Sequence, residues 1–236
     1  MNVFVTTAGI YLGINVFGLI WSLGIVHFGL PDALRLQDRP HPMATLKERL
    51  PLVTMNVFIL LALTAGAVVS LDSVFTTEPI SGKLLTVQLL LVLCIDDVWF
   101  YGWHRLLHEN TWMYSKIHRI HHKAFSPLPF EYIYVHPVEW MVGSIGPFLG
   151  FVTVNAVFGT VPTWTLWAYL LVRNLHELDI HSGMRSFLGP KIPFFGLAEH
   201  HDLHHAKPTK GNYASTFTLW DHVFRTLWRP TPSTGK

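Results

Sequence analysis

Apolar positions in this chain fall in long runs. Four runs stand out: Val3 to Val26, Leu50 to Leu71, Leu84 to Phe100, and Trp140 to Val172. About 20 helical residues cross the hydrocarbon core of a bilayer, so the runs predict membrane-spanning helices. The last run is too long for one span and is interrupted at Gly159-Thr-Val-Pro162. Glycine and proline there predict a helical hairpin that enters and leaves the membrane on one side.

Polar positions set the orientation. No charged side chain precedes His27, and neither a positively charged n-region nor a cleavage site is evident after Met1. The first run is therefore expected to be a retained transmembrane helix. Arg35, Arg39, Lys47 and Arg49 follow it, whereas the stretch after the second run holds Lys83 with Asp72 and Glu78. Positive-inside logic places the first of these loops in the cytoplasm. The third run then returns to the cytoplasmic side, and the hairpin leaves from it and comes back. The expectation is one all-α integral membrane domain over 1–236. It has about four transmembrane helices, the last one or two as a hairpin, and a cytoplasmic helical cap. The tail from Pro230 is expected to be loose.

Composition agrees: 50% of residues are hydrophobic and 14% charged, against about 25% charged in a soluble domain. A net charge of +2 with no dense basic stripe argues against a nucleic-acid partner. The one cysteine, Cys94, excludes an internal disulfide and cysteine-based metal clusters. No GxGxxG or GxxxxGK[ST] run is present to bind a nucleotide.

The chemistry lies in the fifteen histidines. They cluster as His104-Arg-Leu-Leu-His108, His118-Arg-Ile-His121-His122, His176-Glu-Leu-Asp-Ile-His181 and His201-Asp-Leu-His204-His205, with His136 in His136-Pro-Val-Glu139. Residues three and four apart share a helix face. One ion takes three or four protein ligands, so this set predicts two metals in one site at the cytoplasmic face. The adjacent pair in each HxxHH triplet diverges by about 100°, which lets one triplet serve both ions. An isolated histidine near a span end is more simply a polar anchor, and His27, His41 and His222 are read so. His200, one residue before the last triplet, is left outside the ligand set. His176-Glu177 is not an HExxH protease helix, because the next histidine comes five residues on. Asp96, Asp97, Glu139, Asp179 and Asp202 are candidates to accept the ligands' second N–H. Imidazole suits iron, zinc, copper and nickel alike.

With these residues in view, the run from Asp96 to Thr226 resembles the membrane-bound fatty acid hydroxylase and sterol desaturase superfamily. HRLLH, HRIHH, HPVE, the HSG at His181 and HHDLHH carry the likeness. Gly211-Asn-Tyr-Ala-Ser-Thr-Phe-Thr-Leu-Trp-Asp221 and Asp179-Ile-His181-Ser-Gly183 resemble the sterol C-4 methyl oxidase branch. The resemblance implies a non-haem di-iron monooxygenase that uses O₂ and two external electrons on a lipid C–H bond, most simply a sterol 4-methyl group. It implies a membrane lipid substrate, and a separate donor such as a b-type cytochrome, or a ferredoxin with its reductase. Zinc can take the place of iron in overexpressed protein. The membrane is the bacterial inner membrane or the endoplasmic reticulum. A fatty acyl or sphingolipid hydroxylase, or a sterol desaturase, is the alternative within this chemistry. A membrane metal-binding or transport protein is the alternative outside it.

Overall fold

The computed structural model describes residues 2–186 and 191–230. The tail beyond Pro230 lies outside the described residues, as does most of the stretch expected to be loose. Among those described, the helices are α1 (Val3–Phe28), α2 (Met43–Ser70), α3 (Gly82–Glu109), α4 (Thr111–Lys116), α5 (Pro137–Gly143), α6 (Ile145–Phe158), α7 (Thr163–Ile180), α8 (Ala198–Ala206) and α9 (Leu219–Val223). Four stretches are long and apolar enough to cross a membrane: α1, α2, α3, and α5 with α6 over Pro137–Phe158. Their length and apolar surface fit an integral membrane protein.

Two helices outrun their apolar cores. α2 begins at Met43, well before Leu50, and passes through Pro51; α3 continues beyond Phe100 to Glu109. The extra turns are polar because they leave the apolar layer, so hydropathy alone does not register them. Ser81 caps α3, its hydroxyl accepting from Leu84 N at 3.2 Å. The break after α6 falls where Gly159 and Pro162 place it: Gly159 has φ +83° and Pro162 precedes the first turn of α7. A second interruption, at Ser144, separates α5 from α6.

The bundle has an apolar core, but it also buries polar side chains and turns many large apolar ones outward. α1 buries Thr7, Asn15 and Ser22 and exposes Val16 and Ile20. The inward hydroxyls are satisfied on their own helix, Thr7 on Val3 O at 2.7 Å and Ser22 on Gly18 O at 2.8 Å. Between helices, Trp167 Nε1 donates to Thr7 Oγ1 at 3.1 Å and Thr165 Oγ1 to Gln88 Oε1 at 2.7 Å. Small residues permit the closest approach. A Cβ on Gly146 would lie 3.1 Å from Asp96 Cα, and one on Gly150 3.1 Å from Val92 Cα. This four-residue glycine spacing docks α6 along α3.

The two ends of the bundle differ. At one end Phe75–Thr76 (β1) and Val161–Pro162 (β2) form a two-residue parallel pair. The α6–α7 hairpin therefore reaches the same end as the α2–α3 connection. At the other end the α1–α2 loop meets the histidine-bearing segments: Leu36 N donates to Gly183 O at 3.0 Å, and Gln37 Nε2 to Asp202 Oδ1 at 2.8 Å. Arg49 reaches Glu131 Oε1 at 2.5 Å and Lys123 O at 2.8 Å. The basic α1–α2 loop and the histidines thus share one face of the molecule.

Candidate metal centre

α3 carries His104 and His108 past the apolar layer, one turn apart on one face. After α4, His118–Lys123 forms a 3-10 segment, not the α-helix its spacing predicts. α8 holds His201, His204 and His205, and His181 follows the last turn of α7. These rings gather into two groups. The first is His104, His108, His118, His122 and His204; the second is His121, His181, His201 and His205. Within each group the facing nitrogens lie within 4.8 Å of one another. The groups adjoin, with the rings of His122 and His205 4.9 Å apart. Each HxxHH triplet divides between them in opposite sense. His118 and His122 face the first group and His121 the second, whereas His201 and His205 face the second and His204 the first.

The donor set fits cations. His104 Nδ1 donates to Tyr213 O at 2.7 Å, His118 Nδ1 to Glu139 Oε1 at 2.8 Å, and His204 Nδ1 to Gly211 O at 2.9 Å. These oxygens accept, so the proton is fixed on Nδ1 and Nε2 presents a bare lone pair. Yet Nε2 of His104 stands 3.1 Å from Nε2 of His118, and both carry lone pairs. Lone pairs converging at this distance repel one another, and a cation between them would relieve the repulsion. His181 Nδ1 is fixed in the same way on Glu177 O at 2.8 Å, with its Nε2 3.0 Å from that of His201. The Nδ1 atoms of His121, His122, His201 and His205 have no acceptor among the described residues. Burial, reinforced by the neighbouring rings, holds His118, His121, His122, His201, His204 and His205 well below the ordinary imidazole range. They stay neutral, as metal ligands must.

Two expected ligands stand apart. His136 caps α5, its Nδ1 accepting from Val138 N at 3.2 Å. His176 sits five residues before His181 but points away, with Nε2 on Gly196 O at 2.8 Å and its ring 4.6 Å from Phe195. Five residues on an α-helix turn through about 500°, so His176 and His181 cannot share a face. His200 bonds Asp221 Oδ2 at 2.9 Å, and His41 bonds Ser126 O at 3.1 Å.

Of the acidic candidates, Glu139 orients His118. Asp202 holds Gln37, and Ser186 Oγ donates to Asp179 Oδ2 at 2.6 Å. Asp96 accepts from Tyr169 and Arg173. Asp97 accepts from Thr216 N, Phe217 N and Trp220 Nε1. Residues that side-chain reading missed do the remaining orientation. Glu177 Oε2 lies 3.5 Å from His181 Nδ1, and the other orienting acceptors are backbone carbonyls. Asp221 fixes the segment that supplies them, accepting from Tyr213 N and Ala214 N at 3.0 Å each. Burial opposes its charge, but hydrogen bonds from His200, Thr226 and Ala214 hold the carboxyl below the usual range.

Gly211 is required where it stands. Its φ is +129°, and a Cβ there would lie 2.0 Å from Thr226 O. Gly211→Ala is expected to cost about 1–3 kcal/mol and to lower metal content by displacing the acceptor of His204. Thermal melting and metal analysis both read this; if neither changed, the role given to Gly211 would be withdrawn.

Fold and site together define a helical, membrane-type protein with a buried histidine-walled nest able to hold two ions. The chain belongs to the fatty acid hydroxylase family, whose model matches residues 89–226 and so contains both groups. It is 42% identical over 136 residues to rat (Rattus norvegicus) methylsterol monooxygenase 1, covering 56% of this chain and 43% of the relative. It is 34% identical over 151 residues to methylsterol monooxygenase erg25B of Aspergillus fumigatus, covering 61% and 48%. It is 37% identical over 144 residues to the very-long-chain aldehyde decarbonylase GL1-8 of Oryza sativa, covering 59% and 51%. The chain spans about half the length of the curated relatives it matches. No solved structure matches it.

Proposed function

We propose that the protein is a di-iron, O₂-dependent monooxygenase acting on a membrane lipid, with a sterol 4-methyl group as its first substrate. The observation that carries the metal reading is the convergence of bare Nε2 lone pairs on two adjacent centres. His104, His108, His118, His122 and His204 would hold one ion, and His121, His181, His201 and His205 the other. Iron bound there would supply the activation of O₂ needed to attack an unactivated C–H bond. The chain's own part is to position and to exclude. Tyr213 O, Gly211 O, Glu139 and Glu177 O fix four rings in one tautomer, and burial keeps imidazolium from forming. The apolar helices let a lipid approach without crossing water, which also keeps side reactions out.

In this reading the whole chain 1–236 works as one domain, with the histidine site over 96–226. The site lies at the cytoplasmic face, because it shares an end with the basic α1–α2 loop. Electrons arrive from a separate b-type cytochrome or ferredoxin system. A transport role would favour ligands near the bilayer midplane, and these lie at the bundle's end. The test is O₂ uptake by iron-loaded protein given donor proteins and a 4-methylsterol, with products read by mass. A gain of 16 mass units is expected; uptake that ignores every lipid offered would end the proposal.

A further inference from the structure

We propose that residues 192–195 and α9 form a wedge that enters the lipid leaflet on the histidine side of the bilayer, beside α3. The cleft between wedge and helix takes an acyl chain of an anionic phospholipid from that leaflet. The wedge holds whatever reaction the histidines serve. Its two stretches belong to the cap, not to a span, yet they are apolar on the outside. Ile192, Phe194, Leu219, Val223 and Phe224 are between 37% and 56% exposed. Single exposed apolar residues are ordinary, but five large ones on two short stretches make a patch that calls for a covering surface.

The stretches are tied together and set at membrane depth. Phe195 and Phe217 form an antiparallel bridge, and Thr218 N donates to Phe194 O at 2.7 Å. Phe194 keeps φ at +59°, a conformation unfavourable for a bulky residue. Its ring is half exposed there and meets His222 edge-on at 5.7 Å. Asp97 of α3 accepts from Thr216 N, Phe217 N and Trp220 Nε1, which pins the second stretch along α3. One turn further on, Tyr101 stacks on Phe224 at 5.2 Å. The cleft encloses ≈ 430 Å³, with Cys94, Ile95 and Val98 on the α3 side and Phe194, Phe217 and Leu219 opposite. Cys94 lies six residues inside the end of the apolar run at Phe100, about 9 Å at the helical rise. A wall at that depth faces acyl chains, so the bilayer that covers α3 continues over the wedge.

Charge selects the lipid. Lys191 precedes the first stretch and Arg225 follows the second, and both are exposed. Neither forms an ion pair among the described residues. Asp221, the one carboxylate in either stretch, is fully buried, so nothing negative opposes the two cations at the surface. Cations flanking an apolar wedge match phosphate head groups above acyl chains. A second copy of the chain would bring the same two cations, and like charges would oppose its docking.

The experiment places a nitroxide on the full chain in nanodiscs of phosphatidylcholine, with and without phosphatidylglycerol. Cys94→Ser removes the native thiol, and Val223→Cys carries the label. Relaxation by O₂, which concentrates among acyl chains, is expected to exceed relaxation by a water-soluble nickel chelate. A label at Thr209, exposed elsewhere on the cap, should show the reverse. Native mass spectrometry of the unlabelled chain from the mixed discs should find phosphatidylglycerol retained over phosphatidylcholine. Lys191→Gln with Arg225→Gln should lower that preference about fivefold for each cation lost, at an unchanged melting temperature. Val98→Trp, which fills the cleft from a side chain 47% exposed, should release the lipid and leave the Val223 label at its depth. A Val223 label that answers mainly to nickel, or to neither reagent as it would beneath a second copy, would overturn the wedge. Equal retention of the two lipids, an unchanged preference in the double variant, or lipid kept by Val98→Trp would overturn the anionic occupant of the cleft.

Discussion

His121→Ala should reduce the bound metal from about two ions per chain to about one and abolish turnover, whereas His136→Ala and His176→Ala should keep both ions. The four-membered group loses one of its four imidazoles in the first variant and falls below the usual complement of a closed site. His136 and His176 belong to neither group and are engaged by Val138 N and Gly196 O. Changing groups that merely orient ligands costs about 10–100-fold in affinity or activity, so loss of a donor should cost at least as much. Metal analysis beside product formation reads both effects. Full metal content in His121→Ala, or half content in His176→Ala, would show that the two groups are assigned wrongly.

The largest effect on stability is expected from Arg49→Met. Glu131 is 1% exposed, and its carboxylate accepts from Arg49 and from Leu128 N at 3.0 Å. Removing the arginine leaves a buried carboxylate without its partner, a loss of about 3–5 kcal/mol. Arg49 also holds Lys123 O, the end of the segment carrying His121 and His122. Metal affinity should therefore fall together with the melting temperature. In the double variant with Glu131→Gln much of the stability should return, because no charge is then stranded. A melting temperature within a degree of the parent for Arg49→Met alone would show that the pair contributes nothing.

The membrane-capable helices were legible in the chain because a bilayer imposes a length, and α1, α2, α3 and Pro137–Phe158 meet it. Their inner faces were less legible. Thr7, Ser22, Asn56 and Gln88 are buried while their apolar neighbours face outward, so no hydrophobic stripe marks the core. The close packing at Gly146 and Gly150 emerged only from the structure, where a Cβ on either would crowd α3. The ligand-rich motifs were also readable, since HxxxH and HxxHH set ring directions locally. What they could not reveal was Glu177, or the carbonyls of Gly211 and Tyr213. A carbonyl has no residue identity, and Glu177 acts because α7 ends beside its partner.

By itself the sequence determined that apolar helices carry histidine triplets out to one end of the molecule, and that each triplet can face two ways. For His201, His204 and His205 this follows from spacing along one helix, which is local geometry, whereas His118, His121 and His122 lie on a 3-10 segment whose turn the spacing did not give. Only the tertiary structure decided which rings meet: His104 with His118 across the first group, His181 with His201 across the second, and His136 and His176 with neither. Those meetings depend on how α3, α7, α8 and the 3-10 segment dock, and docking is fixed by long-range contacts such as Asp97 to Thr216 and Arg49 to Glu131. A spacing rule that looks a few residues along the chain has no access to them.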